Sequence, residues 1–139
     1  VRNFGAIART CACAGADAVV IGTHGSVAIN GDAVKTSAGA LHSLPVCKVE
    51  NMQNCLQYLR DSGFHVVAAT EQATCNYTEV DMTAPVAIVM GSEDKGIYEG
   101  NLRICSHQVR IPMSGVIESL NVSVAAGVML YEAVRQRGN

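Results

Sequence analysis

The feature that most constrains this chain is a repeated alternation of short apolar runs with amphipathic stretches. "ADAVVIG" ends near Gly22, and "LPVCKVE", "FHVVAAT", "VAIVMG" and "HQVRIP" follow it in order. A short, nearly continuous apolar run bounded by turn formers reads as a strand buried on both faces. The intervening stretches carry helical signals. Asn3 can cap a helix to about Ala14, stopped by Gly15, with Ile7, Cys11 and Ala14 along its apolar side. "AINGDAVKTSAGAL" predicts a short helix capped by Asp32 and carrying Val34, Ser37, Ala38 and Leu41. "NMQNCLQYLRDSG" predicts a helix between Asn51 and Gly63, and "IYEGNLRICS" a shorter one. A closing helix is expected from about Leu120 to Arg137, with Val124, Val128, Met129, Tyr131 and Val134 buried. Such alternation is the pattern of an α/β fold, a mostly parallel sheet with helices on both faces.

The 139 residues suffice for one domain with a core, and no linker or repeat interrupts them, so a single domain over 1–139 is expected. Ten basic and twelve acidic residues leave a formal charge of −2, so no global positive field advertises nucleic acid. A local patch or a second domain must supply that charge if RNA is the partner. The six cysteines lie in apolar segments without regular spacing or a preceding secretory signal, which points to reduced thiols in the cytoplasm. Cys11 and Cys13 are too close for the usual zinc pairing and have no second pair downstream, so no metal is expected. The sequons "NYT" and "NVS" are then chance matches, and no apolar run approaches a membrane span. "VRNFGAIART" opens the chain directly on a helix entry, so a preceding strand is expected in the natural protein.

Ligands of parallel sheets sit beyond the carboxyl ends of the strands. Those ends here carry "GTHGS" (22–26), "GSEDKG" (91–96) and "PMSGVIES" (112–119). In "GSEDKG", Gly91 and Gly96 let backbone amides approach a ligand closely. The loop lacks the Lys-Ser/Thr ending of a phosphate-cradling loop, and Glu93 and Asp94 would repel a triphosphate. "PMSGVIESLNVS" sets Ser119, Asn121 and Ser123 at a helix start, where they either cap the helix or orient a ligand. Ile111, Met113 and Leu120 would then form apolar walls. In "NFGAIAR", Arg9 is either a solvated surface residue or a phosphate clamp.

Taken together in this order, "NFGAIAR", "VAIVMGSEDKGI" and "VRIPMSGVIESLNVSVAAGVMLYEAVRQR" resemble the three motifs of the SpoU (TrmH-like) RNA 2′-O-methyltransferases of the SPOUT superfamily. The resemblance covers essentially the whole chain. It looks most like the branch that methylates a guanosine ribose in large-subunit ribosomal RNA. It implies a C-terminal deep trefoil knot that forms an S-adenosylmethionine site, a homodimer with the active site at the subunit boundary, and S-adenosylhomocysteine as product. By the same resemblance Arg9 is the catalytic arginine, and Asn3, Glu93, Ser119 and Asn121 are the other polar motif positions. Gly91, Ile111, Met113 and Leu120 correspond to cofactor-binding positions. The implied reaction is attack of a ribose 2′ oxygen on the sulfonium methyl, with orientation supplying much of the acceleration. Arginine is hard to deprotonate, which favours Arg9 as a cation that holds phosphate and stabilises developing alkoxide over Arg9 as the base.

The RNA partner implied is ribosomal, with transfer RNA as the alternative, and Arg2, Arg9, Arg103, Arg110, Arg135 and Arg137 are candidates for its local basic patch. The resemblance implies a strand before the first motif, expected ahead of Val1 in the natural protein, and in many members an N-terminal RNA-binding domain. Two further readings stand beside the enzyme: a non-catalytic knotted RNA-binding or ribosome-assembly protein, and a nucleotide-phosphate enzyme built on "GSEDKG". The five polar motif residues favour the first reading over the second, and the acidic loop disfavours the third.

Overall fold

The apolar runs become strands because β-branched residues fit an extended, enclosed backbone, and three of the stretches that wind into helices are followed by a glycine at positive φ, Gly15, Gly63 and Gly138. The computed structural model describes residues 2–23, 43–92 and 94–138, which form two compact units, Val1–Met52 and Gln53–Asn139. Among the described residues the strands are all parallel and form a two-stranded and a four-stranded sheet. The helix expected behind Asp32 lies outside the described residues.

In the first unit, α1 (Arg2–Ala14) precedes β1 (Val19–Gly22), which pairs in parallel with β2 (Val46–Val49). Gly15 ends α1 at φ +80°, where its N–H and that of Ala16 reach back to the carbonyls of Ala12 and Cys11. That double bond satisfies helix carbonyls that winding leaves unpaired, and the positive φ is why glycine stands there. Asn3 falls inside the first turn of α1 and is not its cap. The buried side of α1 is Phe4, Ala8 and Cys11, with Ile7 and Ala14 half-buried, so the face expected from Ile7, Cys11 and Ala14 is rotated by about one residue. Burial pushes the Cys11 thiol above its ordinary pKa. No disulfide joins any of the six cysteines.

In the second unit, α2 (Met52–Asp61) leads through Gly63 (φ +94°) into β3 (His65–Ala69). A two-residue strand β4 (Cys75–Asn76) and a 3-10 turn (Tyr77–Glu79) follow, a pair with no counterpart in the sequence reading. Asn76 caps that turn through Thr78 N–H while Glu79 accepts from Asn76 N–H. Then come β5 (Val86–Val89), α3 (Glu99–Ile104), β6 (His107–Arg110) and α4 (Val122–Gln136). The sheet order is β4-β6-β3-β5. The core packs Val67 and Val109 of the sheet against Val80, Met82, Met129 and Ala133.

Helix α4 departs from expectation in its phase. It buries Ala126, Met129, Glu132 and Ala133, whereas Val124 and Tyr131 are exposed. Glu132 is buried because its carboxylate accepts two bonds from Arg135 (2.8 and 2.9 Å) and one from Gln136 (2.8 Å). Gln136 in turn accepts from Met82 N–H and donates to Val80 O, and Arg137 donates to the carbonyls of Met82 and Ala84. The helix terminus is thereby tied to the segment before β5. Buried charge is tolerated when every lone pair finds a donor, and the Arg135 guanidinium, ahead of Gln136, holds Glu132 below the usual carboxylate range.

Candidate functional site

In the four-stranded sheet, β5 lies on one side of β3 and β6 on the other, so the chain reverses its direction of strand addition beside β3. Open parallel sheets bind ligands at such a reversal, beyond the carboxyl ends of the strands. A cavity of about 320 Å³ lies there, within the size range of small-molecule sites. Ala69, Thr70 and Glu71 follow β3 into it, Met90, Gly91 and Ser92 follow β5, and Ile111 and Met113 follow β6. The segment Ser119 to Val122, with Ala125, completes the wall.

The loop after β5 closes on itself. Ser92 N–H donates to Gly96 O at 3.2 Å and Gly96 N–H returns to Ser92 O at 3.0 Å, with Gly96 at φ +68°. The Ser92 hydroxyl accepts from Lys95 N–H. A Cβ on Gly91 would run into the backbone of Gly96 and Ile97, closer than real Cβ atoms approach. Gly91 is therefore glycine first because the loop's own backbone crosses it. Asn121 is the N-cap of α4, its side chain accepting from Ser123 N–H at 2.9 Å. The capping reading of this residue is realised, and the residue lines the cavity as well. Ser119 precedes the helix in the exposed loop and is not part of its entrance.

Six of the nine site residues expected from the sequence thus line one cavity: Gly91, Ile111, Met113, Ser119, Leu120 and Asn121. Asn3 and Arg9 stand on α1 in the first unit, Asn3 half-buried and Arg9 exposed. Helix geometry sets them ~9 Å apart along the axis, so Asn3 at a helix entry does not bring the pair together. Glu93 lies outside the described residues. Sequence reasoning missed Thr70, Glu71 and Ser92, although the strand-end rule applied to "FHVVAAT" pointed at the first two. Of the expected basic patch, Arg9 and Arg110 are exposed and make no ion pair among the described residues. Arg103 faces Glu99 at 3.9 Å with both side chains solvated. Arg135 and Arg137 are committed to Glu132 and to backbone carbonyls, so they are withdrawn from that patch.

A family model described as the SpoU rRNA methylase family matches residues 1–131. The chain belongs to this family. Among its SpoU relatives, proteins named 23S rRNA (guanosine-2′-O-)-methyltransferase RlmB are 44% identical in Xanthomonas campestris pv. campestris and 37% in Shewanella oneidensis. Each alignment spans 136 residues, 98% of this chain and 55% of the relative. The chain therefore spans about half the length of these curated relatives. Among solved structures, the SpoU methyltransferase AviRb of Streptomyces viridochromogenes in complex with AdoMet superposes with a TM-score of 0.88 at 32% identity, covering 98% of this chain and 56% of that one. An AdoMet-bound rRNA methyltransferase from Sinorhizobium meliloti gives 0.89 at 30%, covering 96% and 51%.

Proposed function

We propose that this chain is the catalytic domain of an S-adenosylmethionine-dependent RNA 2′-O-methyltransferase, acting on a guanosine of large-subunit ribosomal RNA. The observation that carries the reading is the convergence of the second- and third-motif residues on one cavity at the strand ends. Its chemistry fits the cofactor: Ile111, Met113 and Leu120 offer apolar contact to a nucleoside, while Thr70, Ser92, Ser119 and Asn121 offer hydrogen bonds to its polar ends. When bound, S-adenosylmethionine supplies an electrophilic methyl group. The trefoil knot, the single catalytic domain over 1–139 and a cytoplasmic setting, in keeping with cysteines that form no disulfide, belong to the same reading.

The chain's own groups then divide the work. Ile111, Met113 and Leu120 offer the cofactor apolar contact, and Asn121, as the N-cap of α4, holds the loop–helix junction in one conformation. Arg9, an exposed guanidinium, holds a phosphate of the RNA beside the target ribose and stabilises negative charge on its 2′ oxygen. A homodimer is part of the proposal. Val116 and Ile117 are 95% and 72% exposed, and Val124 and Tyr131 lie seven residues apart on one face of α4, an apolar surface suited to a second copy.

The test pairs calorimetry with turnover. S-adenosylmethionine should bind and ATP should not. Unmethylated ribosomal RNA should take up labelled methyl at a ribose, and Arg9→Ala should slow this by about 10²–10³-fold with its circular dichroism unchanged, the usual cost of removing one charge-stabilising donor. A folded protein that binds no cofactor sinks the enzyme reading. Methylation of transfer RNA in preference to ribosomal RNA redirects the substrate alone.

A further inference from the structure

At the amino ends of β3 and β6, opposite the strand ends that frame the cavity, two histidines from distant parts of the sequence meet. The rings of His65 and His107 are 5.2 Å apart between centroids, with planes inclined by 51°. His107 pairs in register with Val67, two residues beyond His65, which places both imidazoles on one face of the sheet.

Hydrogen bonds tie Nδ1 of each ring to the protein. His65 Nδ1 lies 2.8 Å from the Asp81 carbonyl, an acceptor only, so Nδ1 carries the proton and donates. Ser106 Oγ accepts from Val66 N–H at 2.9 Å and donates to Val66 O at 3.2 Å. The same oxygen lies 3.1 Å from His107 Nδ1, within hydrogen-bond distance. His65, when neutral, thus holds its proton on Nδ1 and leaves a lone pair on Nε2, and Nδ1 of both rings is tied to the protein. Metal-binding histidines are organised this way, one nitrogen fixed by an outer partner and the other turned to the ion.

The spacing fits as well. With a metal–nitrogen bond of ~2.1 Å and a ring radius of ~1.1 Å, two imidazoles on a tetrahedral ion hold their centroids ~5.2 Å apart. We propose that His65 and His107 form a two-imidazole chelate for a tetrahedral divalent transition ion of the zinc class. No third His, Cys, Asp or Glu among the described residues joins them, so two coordination positions are left for water or an outside ligand. The site is therefore exchangeable and of micromolar rather than structural affinity. The Arg60 cation nearby weakens an ion's attraction, but one of its N–H groups is engaged with the Ile104 carbonyl. Cys105, next to Ser106, donates its thiol to the Asn101 carbonyl and does not join the pair.

The experiment titrates the protein with Zn2+ by calorimetry and with Co2+ by absorbance. The expected result is one micromolar site whose cobalt spectrum lacks a thiolate charge-transfer band. His65→Asn and His107→Asn each retain a donor near the Nδ1 position and remove Nε2, and each should weaken binding at least tenfold, whereas His24→Asn and His42→Asn should leave it unchanged. If an Asn variant fails to fold, nuclear magnetic resonance of the wild type decides: Co2+ must broaden the His65 and His107 ring protons first. Unaltered affinity in both Nε2-deleting variants, thiolate absorption, or broadening centred elsewhere overturns the proposal.

Discussion

At Gly91 a single methyl group decides whether the loop after β5 can exist. The backbone of Gly96 and Ile97 occupies the space a Cβ needs, and backbone cannot move aside as a long side chain can. Gly91→Ala should therefore cost roughly 1–3 kcal/mol of stability, the usual penalty of overpacking. Because the same loop forms a cavity wall, the variant should also lose cofactor affinity, readable by denaturant titration and calorimetry side by side. Wild-type values for both would mean that the loop has room the geometry denies. From the sequence, Gly91 was legible as a position needing glycine, but for a different reason: close approach of a ligand. The partner that excludes a side chain there is the chain itself, five residues on, and only the folded loop reveals that contact.

Helix α4 shows what patterns settle at the level of an element and what they leave open. Its start was legible because Asn121 is a good cap, and Asn121→Ala should cost about 1 kcal/mol in thermal or chemical unfolding, with a further loss of cofactor binding because the residue lines the cavity. Its buried face was not legible. Successive residues are ~100° apart around a helix, so an error of one residue in phase exchanges inner for outer positions. Val124 and Tyr131 were expected inside, yet the inward place between Met129 and Ala133 goes to Glu132, a residue that apolar counting never selects. What makes Glu132 an inner residue is the donor set of Arg135 and Gln136, which no periodicity encodes. The two-residue β4 escaped for a similar reason, since its pairing with β6 is long-range and its own sequence too short for a pattern. The buried carboxylate has a titration consequence. Its folded pKa lies below the unfolded value, so Glu132 contributes stability above pH ~4.3 that is lost as pH falls through the folded value. Acidification should thus lower the wild-type melting temperature more steeply than that of Glu132→Gln. Parallel melting curves for the two proteins would exclude this linkage.

For the molecule as a whole, the α/β class and the cavity's location followed from alternation and the strand-end rule, both consequences of backbone geometry. Grouping of the described strands into a two-stranded and a four-stranded sheet did not, because a run of apolar residues says that a strand is enclosed but not which strand lies beside it. The same failure of phase on α4 gives the whole-molecule prediction its basis. A protein with 12 acidic and 10 basic residues has little net charge to keep copies apart, while Val116, Ile117, Val124 and Tyr131 present apolar area to solvent. Exposure of that kind beside a ligand cavity is best relieved by a partner surface, and self-association across a two-fold axis buries the same residues twice. Sedimentation equilibrium should therefore find a dimer in which Ile117→Glu and Tyr131→Glu, placed on the loop and on α4, each raise the dissociation constant by at least tenfold, since each forces a charge into the interface. Both substitutions lie at exposed sites, so the monomers they produce should keep their circular dichroism. A wild-type protein that sediments as a monomer at every concentration, or variants that dimerise undiminished, would move the contact elsewhere and leave this apolar face without a partner.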